Sequence, residues 1–284
     1  MKILYILFVV GFVSISCVDR NVKIATSTDI TYVNTLNFRY EHVKQKAILL
    51  DGLINDSILV NALFDTGLTQ NKIYKTDSLK EFLSKDTVLL QIGSFTNMMQ
   101  IDYVAKNHFF FQHFGSNTAF IGWSFFKDKI IRISYKNKQI QVIEDLSTLS
   151  DQYSKVKIDK SDWNGLFIPI TVHIQGKKIT EKIIIDTRNN GGIDFGKAIQ
   201  TKYAINTKNA LHVTGQNSQG DNNKYFLMPD SIKIDRHTVP VNKYVGFWIN
   251  RENPGLLGNE ILDQFDIILD LKDFYLYIRP VEHK

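Results

Sequence analysis

The feature that most constrains the fold is an internal repeat, in which two blocks of sequence occur in the same order in each half of the chain. In the first block, INDSILVNALFDTGLT (54–69) aligns with IQGKKITEKIIIDTRNN (174–190). Each copy has a turn, an alternating strand, a short apolar run and then Asp-Thr. In the second block, FIGWSFFKDKIIRISYKNKQIQV (120–142) aligns with LLGNEILDQFDIILDLKDFYLYI (256–278). Each copy has two apolar residues, a glycine, a one-turn helix and a hairpin, so the repeat predicts gene duplication and pseudo-twofold symmetry.

Strand patterns dominate both halves, because most apolar runs are short, alternate with polar residues and end at turn residues. We predict strands at 46–50, 57–64, 87–92, 98–104, 130–134, 139–143, 166–174, 182–185, 225–228, 231–234, 267–271 and 275–278. Helical segments are few and short: 78–83, 196–202 and a turn near 259–265. The sequence therefore predicts an all-β protein of two pseudo-twofold-related β-barrel lobes with a few short helices.

The chain begins with a segment of different character. Lys2 precedes an apolar run, Ile3–Val13, which is shorter than the roughly 20 residues that span a bilayer and is typical of a signal peptide. Cys17 follows this run and resembles the lipidated residue of a bacterial lipoprotein. Because it is the only cysteine, an intramolecular disulfide is excluded. We expect lipid anchoring in the bacterial cell envelope, with a periplasmic or secreted location as the alternative.

These patterns divide the 284 residues into five segments. The predicted segments are a signal peptide (1–17), a polar tether (18–38), an N-terminal lobe (39–146), a linker (147–164) and a C-terminal lobe (165–284).

The aspartates of the two Asp-Thr motifs, Asp65 and Asp186, are the candidate catalytic residues. An apolar strand that ends in Asp-Thr-Gly places a carboxylate on a tight turn, where Gly67 allows close approach of the backbone. A twofold axis would bring the two carboxylates face to face, and like charges at that distance share one proton. One carboxylate could then activate a water while the protonated partner donates to a peptide carbonyl.

The sequence LFDTG (63–67) resembles the active-site signature of the aspartic proteases, and IIIDT (183–187) is an imperfect second copy. The resemblance covers roughly residues 45–280, with halves similar in size to a retroviral protease monomer. It implies two acid-protease-like lobes, an Asp65/Asp186 dyad and a peptide or protein substrate. It also implies that Thr66 and Thr187 hydrogen-bond across the lobes, and that Gly122 and Gly258 lie behind the two aspartate loops.

The second motif departs from the family pattern, because Arg188 stands where the family has glycine. If the guanidinium lies over the dyad, its charge would lower the aspartate pKa by about 1–3 units and remove the shared proton near neutral pH. If it faces solvent, the cost is conformational, about 1–2 kcal/mol for a left-handed turn. Three functions stay open: an active endopeptidase, a catalytically lapsed peptide-binding homologue and a structural envelope lipoprotein.

Other features narrow the function classes. The net charge of +5 is spread along the chain and forms no basic stripe, so we expect no nucleic-acid partner. We also expect a monomer. His108 and His113 lack further ligands at metal-site spacing, and no dinucleotide or phosphate-loop motif occurs, so we expect neither a metal nor a cofactor.

Candidate substrate flaps are 91–99 and 213–225. Trp123 and Trp163 are either groove or core residues.

Overall fold

The computed structural model describes residues 30–40, 46–75, 87–103, 118–160, 165–217, 220–221, 223–239, 243–252 and 254–281. Within them the prediction of an all-β fold is confirmed. The predicted signal peptide with Cys17, the helix at 78–83, His108, His113 and Trp163 lie outside the described residues. Among the described residues, no helix has the length and apolar composition needed to cross a bilayer.

The first lobe is a closed six-stranded barrel. Its strands run in the order β2-β3-β7-β4-β6-β5, and β5 pairs back with β2. Their alternating apolar side chains fill the barrel, where Phe64, Ile73 and Leu90 are fully buried. The strands are β2 (Ile48–Ile54), β3 (Ile58–Asp65), β4 (Lys72–Lys75), β5 (Thr87–Ile92), β6 (Phe95–Tyr103) and β7 (Thr118–Gly122).

The second lobe repeats this arrangement strand for strand. Its order β12-β13-β22-β14-β21-β18 has the same sequence of parallel and antiparallel pairs as the first lobe. In place of the closing β2–β5 pair, β12 pairs with β19 at the start of an added hairpin. The strands are β12 (Leu166–Ile174), β13 (Lys177–Ile185), β14 (Ile193–Phe195), β15 (Leu211–Val213), β16 (Gln216–Asn217), β17 (Gly220–Asp221), β18 (Lys224–Leu227), β19 (Ser231–Ile234), β20 (His237–Val239), β21 (Val245–Trp248) and β22 (Gly255–Leu257).

A six-stranded central sheet joins the lobes in the order β10-β24-β23-β8-β9-β1. Three of its strands come from each half of the chain, and the middle pair places Ile131 opposite Leu269 and Ile133 opposite Ile267. This register is symmetric about the β8–β23 contact, as the predicted pseudo-twofold axis requires. The strands are β1 (Tyr32–Tyr40), β8 (Ile130–Ser134), β9 (Gln139–Ile143), β10 (Ser154–Lys157), β23 (Phe265–Asp270) and β24 (Tyr275–Pro280).

Short helices follow the two repeat glycines, as predicted. A 3₁₀ helix (Trp123–Phe126) follows Gly122, and α2 (Asn259–Leu262) follows Gly258. The helix predicted at 196–202 is α1 (Lys197–Lys202). Trp123 is buried and its ring packs edge-on against Phe274, which makes it a core residue in preference to a groove residue.

Two predicted connecting segments contain strands. Residues 32–38 of the predicted tether belong to β1, because alternate side chains such as Leu36 and Phe38 are buried between β2 and β9. Residues 154–160 of the predicted linker form β10 and β11 (Asp159–Lys160), and β10 is an edge strand of the central sheet. Both segments were mistaken for connections because each strand has one exposed face that carries polar residues.

Candidate active site

The two aspartates lie at equivalent points of the two lobes. Asp65 is the last residue of β3 and lies beside Gly122 of the parallel strand β7. Asp186 follows β13, and its backbone N–H donates to the carbonyl of Leu257 at 2.9 Å on the parallel strand β22. Each aspartate therefore begins a loop that the neighbouring strand supports from behind.

The repeat glycines make this support possible. A Cβ atom on Gly122 would lie 2.5 Å from the carbonyl oxygen of Leu68, and the N–H of Trp123 donates to that same oxygen at 3.0 Å. On the second lobe the N–H of Gly258 donates to the carbonyl of Gly192 at 2.7 Å, and a Cβ there would overlap the backbone of the loop. Any side chain would push the aspartate loops away from their strands.

Thr66 and Thr187 connect the loops by a reciprocal set of hydrogen bonds. The Thr66 hydroxyl donates to the carbonyl of Ile185 and the Thr187 hydroxyl donates to the carbonyl of Phe64, both at 2.7 Å. Each hydroxyl oxygen also accepts the backbone N–H of the other threonine at 3.1 Å. Both threonines are fully buried, so these four bonds fix the two loops against each other in a dry interior.

The carboxyl groups of Asp65 and Asp186 meet at the centre of this arrangement. They hydrogen-bond to each other, and a Cβ built on Gly67 would lie 3.1 Å from Asp65 Oδ1 and 3.2 Å from Asp186 Cγ. Asp65 Oδ1 accepts the N–H of Gly67 at 2.9 Å. Asp186 Oδ1 accepts the N–H groups of Arg188 and Asn189 at 2.9 and 3.0 Å. A hydrogen bond between two carboxyl groups requires one proton between them.

The environment favours placing that proton on Asp65. Burial, and next the negative charge of Asp186, raise the pKa of Asp65 to about 7. The Arg188 charge and the Gly67 hydrogen bond act in the opposite direction but do not cancel the increase. The carboxyl group of Asp65 is therefore protonated below about pH 7, which is unusual for an aspartate and characteristic of groups that transfer protons.

Arg188 lies over the dyad. Its Nε is 3.4 Å from Asp65 Oδ2, its side chain is 28% exposed, and its guanidinium carbon is 5.8 Å from the centre of the Phe120 ring. Its φ angle is not positive, so the expected cost of a left-handed turn does not arise. The Arg188 charge lowers the pKa of Asp65, as expected for an arginine over the dyad, but burial and the charge of Asp186 act in the opposite direction and leave it at about 7.

Sequence reasoning missed a buried charged group beside the second aspartate loop. Asp194 on β14 is 2% exposed, and its Oδ2 accepts from Asn189 Nδ2 at 3.1 Å and from Lys224 Nζ at 2.7 Å. The backbone N–H of Asn189 donates to Asp186 Oδ1, so a chain of polar contacts runs from Lys224 on β18 to the Asp186 loop. The corresponding residue of the first lobe is Lys72, because Lys72 pairs with Phe120 as Asp194 pairs with the equivalent Leu256. The signal available in the sequence was an aspartate between two apolar residues of a repeat strand.

A second buried polar side chain, Asn259, contacts the Asp186 loop. Asn259 is fully buried, donates through Nδ2 to the carbonyl of Thr187 at 2.6 Å and accepts the hydroxyl of Tyr135 at 2.7 Å. Its position corresponds to Trp123 in the first lobe. Polar contacts therefore hold both loops: in the first lobe Asn71 Oδ1 accepts the N–H of Gly122 at 2.9 Å, and in the second lobe Asn259 adds a polar side chain at the position of Trp123.

The two flap candidates differ in position. The turn of the β5–β6 hairpin, at Gly93 and Ser94, rests on β1, where Asn34 bonds to Ser94. A Cβ on Gly93 would lie 2.5 Å from Leu36, so this hairpin is anchored to the body of the protein and the candidate at 91–99 is not supported. The candidate at 213–225 lies in the hairpin of β15 and β18, which carries exposed apolar side chains at Leu211 and Val213.

Among the described residues, no group of three or more histidine, cysteine, aspartate or glutamate side chains could hold a metal ion. Comparison of the chain with protein-family models and with curated proteins found no match in either set.

Proposed function

We propose that this chain is an aspartic-type endopeptidase that hydrolyses peptide bonds with Asp65, Asp186 and one water. The observation that carries the proposal is the contact between two carboxyl groups, both nearly inaccessible to solvent, at equivalent strand ends. Two carboxyl groups that share a proton supply an acid and a base at one point. The raised pKa of Asp65 supports its assignment as the acid.

Asp186 is the base in this proposal, because two backbone N–H groups stabilise its ionised form. It takes a proton from the water as the water oxygen attacks the carbonyl carbon, and Asp65 gives its proton to the carbonyl oxygen. When the C–N bond breaks, the amine nitrogen takes the proton from Asp186 and the hydroxyl of the intermediate returns one to Asp65. The dyad ends with one proton, as it began, and no metal or cofactor takes part.

The threonine hydrogen bonds support the mechanism by holding the acid and the base at a fixed separation. General acid–base catalysis depends on geometry before pKa, and small displacements of the reacting groups are costly. The substrate in this proposal is a peptide or protein segment bound between the lobes under the β15–β18 hairpin, and the enzyme acts as a monomer on the bacterial cell envelope.

A specific observation favours a second candidate, a catalytically lapsed peptide-binding protein. Arg188 Nε lies 3.4 Å from Asp65 Oδ2, and a substrate carbonyl would have to approach the dyad beside that guanidinium. Peptide binding between the lobes would survive such a loss of chemistry.

The test incubates the purified protein with a diverse peptide pool from pH 3 to 8 and identifies the products by mass spectrometry. Wild type should cleave below about pH 7, while Asp65→Asn and Asp186→Asn should each lose at least about a thousandfold in kcat/KM. Asp51→Asn is the matched control, because the Asp51 side chain is 78% exposed on the same lobe. Peptide binding without products would favour the lapsed protein, and cleavage by both dyad variants at the wild-type rate would reject the dyad.

A further inference from the structure

A cavity lies at one end of the central sheet, lined by residues other than those of the aspartate loops. It has a volume of about 700 Å³ and lies between the β8–β9 turn, the start of β23 and the end of β24. Phe265 and Pro280 supply apolar surface, and the charged lining is Arg132, Lys136, Asp266 and Arg279. A cavity of this size can hold a small ligand.

The charges that line this cavity are unbalanced. Three cationic side chains face one carboxylate. Burial opposes ionisation of Asp266, but the hydrogen bond and charge of Arg132 outweigh it and hold the pKa of Asp266 below its usual range. Asp266 is therefore ionised at neutral pH, and the lining keeps a net positive charge of about two.

Both oxygens of the single carboxylate, Asp266, already accept hydrogen bonds. Asp266 Oδ2 accepts from Arg132 at 2.6 Å, from the Tyr153 hydroxyl at 2.7 Å and from Arg279 at 3.0 Å. Asp266 Oδ1 accepts a further bond from Arg132 Nε at 2.7 Å, so Arg132 holds Asp266 bidentately. Arg279 contributes one longer bond to the same carboxylate, and its side chain is 33% exposed. Lys136 is exposed at the rim.

The duplication supplies an internal comparison. A pseudo-symmetric cavity of about 390 Å³ lies at the other end of the central sheet. Its cross-strand pair Ile130 and Ile143 occupies the place of Asp266 and Arg279, and Lys272 occupies the place of Lys136.

The charged side chains of this smaller cavity are balanced, with two acids and two bases: Asp128, Glu144, Lys129 and Lys272. The fold thus accommodates an apolar pair, Ile130 and Ile143, at this position. The charged pair and the excess of cations are peculiar to the larger cavity, where Arg279 shares the one carboxylate with Arg132.

We propose that the larger cavity is a binding site for a phosphate group, with Arg279 and Lys136 as its principal donors. A doubly charged oxyanion would match the net charge of the lining, and a planar guanidinium can hold two phosphate oxygens. Arg132 fixes Asp266, and Asp266 orients Arg279 toward the cavity. The phosphate belongs either to a soluble phosphoester or to a lipid headgroup. Tyr135 also lines the cavity and donates to Asn259, the residue that holds the Thr187 carbonyl.

The experiment measures saturable binding to the full chain in two arms. The first uses inorganic phosphate, followed by isothermal calorimetry and by ³¹P line broadening. The second uses vesicles that contain phosphatidic acid, with phosphatidylcholine vesicles for comparison. Binding to phosphate supports the site and a soluble ligand; binding only to phosphatidic acid vesicles supports the site and a lipid headgroup. Absence of saturable binding in both arms overturns the proposal.

Variants decide whether binding occurs in this cavity. Arg279→Gln and Lys136→Gln should each weaken binding about tenfold, and thermal unfolding will show whether Arg279→Gln is folded. Lys136 is exposed on a turn, so Lys136→Gln keeps the test valid if Arg279→Gln unfolds. Lys272→Gln is the matched control, an exposed lysine at the pseudo-symmetric turn, and should bind as wild type. Equal loss in Lys136→Gln and Lys272→Gln, or no loss in Lys136→Gln, would mean nonspecific attraction and would overturn the assignment.

Discussion

The buried carboxyl of Asp65 should make the protein less stable at high pH, and Asp65→Asn should remove this effect. In the folded state the pKa of Asp65 is about 7, whereas its ordinary value is 3.8, so the folded state binds the proton more tightly than the unfolded state. The stability that this group contributes is therefore complete below about pH 4 and is lost as the pH rises to 7. Asparagine stays neutral, and its amide can donate to Asp186 as the protonated carboxyl does.

The size of the effect follows from the two pKa values. One pH unit corresponds to about 1.4 kcal/mol, so the interval from 3.8 to 7 sets an upper limit of about 4 kcal/mol on the loss. The attraction between Arg188 and ionised Asp65 is already included in this limit, because it is one of the causes that set the pKa at about 7. We expect Asp65→Asn to exceed wild type by about 1–4 kcal/mol in unfolding free energy at pH 8, and to equal it within about 0.5 kcal/mol at pH 4.

Urea unfolding at pH 4, 6 and 8 measures these differences without any need for catalytic activity. Asp51→Asn, at an exposed site, should change stability by less than about 0.5 kcal/mol at each pH. A variant that is less stable than wild type at pH 8, or a difference that is the same at pH 4 and pH 8, would show that the Asp65 carboxyl is not held in its protonated form by burial.

Three further predictions test other parts of the molecule. Arg188→Gly should raise the pKa of Asp65 further, because the arginine charge lowers it, and should move the upper limb of the kcat/KM pH profile up by about one unit; superimposable profiles would exclude an electrostatic role. Asp194→Leu should reduce the unfolding free energy in urea by about 3–5 kcal/mol, because it leaves Lys224 buried without its partner; a loss below about 1 kcal/mol would contradict this. Cys17→Ser should abolish lipid labelling and release the protein from membranes; unchanged retention, with no lipid on wild type, would reject the anchor.

The parts of the fold that the sequence predicted are those specified by local alternation and by the repeat. The strands at 87–92, 130–134, 139–143, 166–174 and 231–234 have the predicted bounds. In each, burial on one face imposes a period of two that is visible in a single strand. The repeat then fixed which strands correspond, and so placed Asp65 and Asp186 at equivalent positions.

The parts that were missed depend on partners distant in sequence. β1 and β10 are polar on their outer faces, and their place in the central sheet is determined by pairing with β9 and β24. The prediction of a flap at 91–99 is not supported, because a glycine turn predicts a hairpin but not the direction in which the hairpin projects. The direction of the Arg188 side chain depends on Asp65, which is 123 residues away along the chain.

The duplication shows where the fold alone does not explain the sequence. Lys72 and Asp194 occupy the same strand position in the two lobes, as do Ile130 and Asp266 in the central sheet. Because a lysine and an isoleucine occupy these positions in the first half, the architecture does not require a carboxylate there, and burying one is costly unless it is paired. Both carboxylates lie in the second half of the chain, Asp194 beside the Asp186 loop and Asp266 in the phosphate cavity. The fold alone therefore does not account for these two carboxylates. We infer that selection has acted at these positions on a property other than packing.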